Sequence, residues 1–185
     1  MYDAVKDEQI FYYPQVFKSY ILTLSSKSFK GLSKELGIQL LVLTKQLGFA
    51  YLIFLGDSEL AWLRQNNNYK PANNAQEYLV DNKIGRRFNG ALQVDHFELP
   101  TFVRHISWLI RCNADLPNLY FTDGGQNLIG NICKYGNLHI DTLNEATDKS
   151  LEGAIIKSNF KFLNGNNCYN MFGKTGAIAG RRTIP

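Results

Sequence analysis

Apolar positions along the 185-residue chain alternate in some stretches and recur at helical spacing in others. In "QVFKSYILTLSS" Val16, Tyr20, Leu22 and Leu24 share one parity, and the β-branched and aromatic content predicts a strand over about residues 15–25. The next stretch, "SFKGLSKELGIQLLVLTKQLG", changes period. Leu32, Leu36, Leu40, Leu43 and Leu47 recur at spacings of four, four, three and four, which is one face of a helix. Ser28 is placed to cap its start, and Gly48 to end it as a C′ glycine.

Beyond this helix, "FAYLIFL" and "ELAWLRQ" read as two short strands joined at Gly56-Asp57-Ser58. The pattern then dissolves over about residues 65–90, an Asn-rich stretch carrying Pro71, Gly85 and Gly90. It reads as a long loop with a short helix around Ala75–Val80, and loops of that length are often functional. "ALQVDHF" predicts a strand, and "LPTFVRHISWLIRCN" a helix with Pro100 at its start and a stripe of Phe102, Ile106, Leu109 and Ile110. "NLYFT" predicts a strand, "NLIGNICKYGNLHIDTL" a hairpin around Tyr135-Gly136, and "NEATDKSLEGAIIKS" a helix. "FKFLNGNNCYNMF" predicts a last hairpin turning at residues 164–167. The order β-α-β-β, loop, β-α-β-β-β-α-β-β predicts an α+β fold. Its sheet is mainly antiparallel, built from β-α-β-β units with two or three flanking helices in profilin-like or ferredoxin-like layering.

Composition supports a packed core: 45% of residues are apolar, with 12 Phe and 10 Tyr among them. We expect one domain over residues 1–185, with the long loop at about 65–90 and a basic, Gly-rich C-terminal tail at about 173–185. No stretch has the roughly 18 apolar residues of a membrane span. The start, "MYDAVKDEQI", has no apolar run of the kind a signal peptide carries. Three dispersed cysteines, Cys112, Cys133 and Cys168, do not suggest a disulfide framework, and the expected compartment is the reducing cytoplasm.

Charge adds one feature. Residues 149–185 hold Lys149, Lys157, Lys161, Lys174, Arg181 and Arg182 against Glu152 alone, a surplus of five within a net charge of +4. The rest of the chain therefore sums to −1, and the asymmetry points to an anionic partner, nucleic acid or an acidic protein surface. A second basic cluster, "KIGRRFNG", sits in the long loop. The expected anion-binding residues are Lys83, Arg86, Arg87 and Phe88 from the loop, and Lys174, Arg181 and Arg182 from the tail.

Two motifs suggest other chemistry. "LIFLGDSEL" resembles the nucleophile block of the GDSL hydrolases, and the resemblance implies a serine hydrolase with Ser58 as nucleophile. The chain departs from that pattern because Glu59 precedes Leu60, "ELAWLRQ" alternates like a strand, and no histidine follows an Asp by three. We therefore read Gly56-Asp57 as a hairpin turn. "GKTG" at 173–176 lacks the glycine that a phosphate loop needs five positions before its Gly-Lys, where Cys168 stands. His139 and Asp141 share one face of a strand, but with Leu138 and Ile140 inward they are expected to face solvent. The cysteines are too scattered along the chain to mark a closed zinc site, so neither a metal nor a cofactor is expected. The leading expectation is a non-catalytic binding module for an anionic partner; a small inhibitor or immunity-type protein partner is the other alternative to the hydrolase.

Overall fold

Seven antiparallel strands and four helices make the frame, and the same alternation that predicts the strands decides which side the helices cover. The computed structural model describes residues 2–3, 8–9, 14–56, 60–63, 68–112, 119–163, 168, 171–172, 177–178 and 181–182. Two short pairs lie near the termini: β1 (Tyr2–Asp3) with β2 (Glu8–Gln9), and β10 (Ala177–Ile178) with β11 (Arg181–Arg182). The main elements are β3 (Lys18–Thr23), α1 (Phe29–Gln46), β4 (Tyr51–Leu55), α2 (Lys70–Asp81), β5 (Ala91–Asp95), α3 (Leu99–Cys112), β6 (Tyr120–Asp123), β7 (Leu128–Ile132), β8 (Leu138–Thr142), α4 (Glu145–Ile156) and β9 (Lys161–Phe162). The sheet order is β5-β4-β6-β7-β8-β3-β9. The fold is α+β, with the antiparallel sheet the alternation predicts.

One parity of every long strand is buried: Tyr20 and Leu22, Leu52 and Phe54, Phe121, Leu128 and Ile132, Leu138 and Ile140. These side chains join the α1 stripe Leu32, Leu36, Leu40 and Leu43, and Phe102, Val103 and Ile106 of α3, in one hydrophobic cluster. Burying a side chain of this size is worth roughly 1.5–3 kcal/mol, so the shared cluster is what holds the helices on the sheet. α1 starts where the sequence places it: Ser28 Oγ accepts from Gly31 N at 3.1 Å. It ends in a Schellman turn, with Gly48 at φ +75 and Phe49 N donating to Thr44 O at 3.0 Å. α4 is tied to the sheet by a buried carboxylate. Asp148 accepts from Tyr20 Oη at 2.7 Å and from Thr142 Oγ1 at 3.1 Å. Burial and that bond push the Tyr20 phenol up to about 12.

Three elements differ from the sequence reading. The Asn-rich stretch read as a long loop holds the twelve-residue helix α2. Pro71 sits in its first turn, where a missing N–H costs nothing, and Ala72, Ala75 and Leu79 form its buried stripe. No hairpin forms between β4 and residues 60–63. Both edges of β4 are already taken, by β5 and β6, and Trp62 instead packs edge-on against Phe88 at 5.3 Å. Of the expected final hairpin the described residues show one strand, β9, which adds to the edge of β3 through Leu22↔Phe162 and Thr23↔Lys161. Residues 164–167, its expected turn, lie outside the described residues, while Met171 and Phe172 are in a turn. Among the described residues, no helix is long and apolar enough to cross a membrane.

Candidate functional site

The sequence-expected site residues fall in different parts of the molecule. Asp57, Ser58 and Glu59 lie outside the described residues, as does Lys174. Arg181 and Arg182 pair in register with Ile178 and Ala177 through their backbones. Lys83, Arg86 and Arg87 are exposed on the connection from α2 to β5. Lys83 is also the left-handed residue that ends α2, at φ 64, with Ile84 N donating to Leu79 O at 2.9 Å. Phe88 is half-buried, with its ring edge-on to Trp62.

A more complete constellation lies between the helices, built from residues that are far apart in sequence. α3 lies between α1 and α2, and the three bound a groove of about 530 Å³. Its lining is Lys30 and Ser33 of α1, Lys70, Pro71 and Asn74 of α2, and Arg104, His105 and Trp108 of α3. Each set follows from helical spacing. Lys30 and Ser33 are three apart, Pro71 and Asn74 three apart, and Arg104 and Trp108 four apart, so each group presents one face. α1 and α3 approach closely enough for this because Gly37 has no side chain: a Cβ there would stand 2.5 Å from Pro100 O.

Among the described residues, Lys30, Lys70 and Arg104 are exposed cations that take part in no ion pair, and none of those lining the groove is a carboxylate. The start of α2, at Lys70, adds the positive end of a helix dipole, and the Tyr69 side chain caps none of its amides. Arg104 Nη2 lies 3.2 Å from His105 Nε2. Burial, and then the Arg104 charge, hold His105 below its ordinary value, so the neutral ring accepts there. The His105 ring stacks on Tyr78 at 4.3 Å, and the Tyr78 hydroxyl donates to Glu98. Burial followed by Glu98 pushes the Tyr78 phenol upward.

Aromatic surface flanks the cations. Trp108 is half-buried in the groove, with exposed Tyr69 edge-on to it at 5.8 Å and Phe29 edge-on at 4.8 Å. The C-terminal segment reaches the same corner: Phe172 packs edge-on against Phe29 at 6.1 Å. Phe172 therefore lies at the corner of the groove where Phe29 adjoins Lys30. Such a site can take a phosphate on its cations and a flat ring on Trp108.

Sequence reasoning missed Lys30, Lys70, Arg104 and Trp108 because they lie in three separate segments that only folding brings together. The usable signal was Lys70-Pro71 as a helix start, which places a cation at a helix N-terminus. Comparison with protein-family models, curated proteins and solved structures returned no match.

Proposed function

We propose that the protein is a non-catalytic binding module for an anionic partner, single-stranded nucleic acid, with phosphates on Lys30, Lys70 and Arg104 and a base on Trp108. The observation that carries this reading is the convergence of three cations, from three helices, on a groove with no carboxylate among its described lining residues. An aromatic floor in a concave site favours an unpaired base over an acidic protein surface, because every base has a face to stack. Lys83, Arg86 and Arg87 lie at the far end of α2, roughly 17 Å from Lys70 by helical rise, and extend the positive track beyond the groove. Lys174, Arg181 and Arg182 supply further charge from the tail. The reading includes a reducing, cytoplasmic compartment, which is supported by Cys112, Cys133 and Cys168 all being free thiols.

The test is the anisotropy of a labelled single-stranded oligonucleotide across a salt series. Three phosphate contacts predict a slope of about −2 in log K against log salt. The triple variant Lys30→Glu, Lys70→Glu, Arg104→Glu should flatten that slope and weaken binding by at least about tenfold. Salt-independent binding, or a triple variant that binds like the parent, overturns the proposal. Stoichiometric capture of an acidic protein with no oligonucleotide affinity points to the other class of partner.

A further inference from the structure

The β7–β8 hairpin presents two metal-ligating side chains on the face of the sheet away from the helices. Leu138 and Ile140 are buried, so His139 stands on the other face, where Asn131 is its direct partner on β7. Cys133 follows β7 two positions after Asn131 and therefore shares that face. Its N–H donates to Asn137 O at 3.0 Å, and Gly136 N donates to Cys133 O at 2.8 Å, so the turn fixes the position of the thiol. The third member comes from beyond the sheet. Cys168 Sγ lies 3.3 Å from His139 Nε2, and the three ligand atoms all lie within 4.8 Å of one another.

His139 was expected to face solvent; it is half-buried, with Cys168 against it. The cysteines, scattered along the chain, are brought together in part by folding: Cys133 and Cys168 converge, while Cys112 ends α3. Among the described residues this is the only trio of His, Cys, Asp or Glu close enough to share an ion.

We propose that Cys133, His139 and Cys168 form a tetrahedral zinc-type site that fastens the C-terminal segment to the β7–β8 hairpin. Two sulfurs and one imidazole are the donors that select zinc over magnesium or calcium. Tetrahedral geometry with ordinary zinc bond lengths separates two sulfurs by about 3.8 Å, and a sulfur from a nitrogen by about 3.6 Å. The trio needs only side-chain adjustments to reach those spacings. Binding replaces both thiol protons, which pass to solvent, so a dication with two thiolates and a neutral imidazole leaves the half-buried site uncharged. Three protein donors leave the fourth position to water or an incoming ligand. The imidazole distinguishes this site from a simple disulfide pair, which needs no third group. The inference does not depend on the groove: its ligands are on the opposite face of the sheet.

Zinc content of the purified full-length chain, followed by cobalt(II) titration after metal removal, tests it. The expected result is about one metal per chain, with a thiolate-to-cobalt charge-transfer band and the visible absorption of a tetrahedral ion. Cys133→Ser, His139→Gln and Cys168→Ser should each lose that band, while Cys112→Ser retains it. Circular dichroism confirms the fold of each variant, and Cys168→His, which puts a nitrogen donor in place of the sulfur, should recover the cobalt binding that Cys168→Ser loses. The proposal is overturned by substoichiometric metal, by a band that survives Cys168→Ser, or by an intact mass showing Cys133 and Cys168 joined as a disulfide in the reduced preparation.

Discussion

Lys83 shows how one residue can satisfy a charge pattern and a backbone requirement together. It belongs to the basic cluster of the α2–β5 connection, yet it also holds the left-handed position that closes the C-terminus of α2. A side chain there costs roughly 1–2 kcal/mol relative to glycine. Lys83→Gly is therefore expected to stabilise the fold by about 1 kcal/mol in urea unfolding; destabilisation would show that the lysine side chain has a structural role of its own. His105 carries a pH signature. Its ordinary value is 6.5, and burial, then the neighbouring Arg104, depress it in the folded chain, with Glu98 opposing them. As pH falls below about 6.5 the unfolded chain takes up a proton that the folded chain does not, so stability should fall until the folded-state value is passed. His105→Gln should flatten that decline in thermal melts between pH 7 and 5; an identical pH profile in the variant contradicts the assignment. Neither feature can be read from composition, because both arise from a backbone angle or a neighbour supplied by folding.

Elements were legible wherever one periodic stripe and its caps agreed. α1 has five leucines at helical spacing, a Ser cap and a closing glycine, and its sequence and structure coincide nearly residue for residue. α2 was legible only as a fragment, since its asparagines and Pro71 are the residues that usually punctuate loops. The pairing of strands was less legible still. Nothing in "ELAWLRQ" reveals that β4 already has two partners, and Trp62 is apolar in that pattern because it is buried against Phe88 and Phe102. Gly37 is the element-scale feature that the sequence hid most completely. Adding one methyl group there meets Pro100 backbone at 2.5 Å, so α1 and α3 must move apart. Gly37→Ala is expected to cost about 1–3 kcal/mol by denaturant unfolding, although alanine is the better helix former. Unchanged or increased stability would mean that the helices do not meet there.

At the scale of the whole molecule, the charge asymmetry was legible but the groove was not. Composition locates the basic surplus in the last fifth of the chain, whereas Lys30, Lys70 and Arg104 come together only because α3 lies between α1 and α2. One corner of the groove is aromatic, where Phe172 packs on Phe29 and Phe29 on Trp108. The same corner supplies a reporter. Trp62 is buried at 1% exposure, while Trp108 lines the groove, so a ligand stacked in the groove should act on Trp108 alone. The most direct measurement is tryptophan fluorescence during titration with a single-stranded oligonucleotide, in the parent and in Trp108→Phe. Saturable quenching that weakens with salt and disappears in Trp108→Phe is the expected result; quenching that persists in that variant, or binding that leaves the tryptophan signal unmoved, contradicts the groove as the binding site.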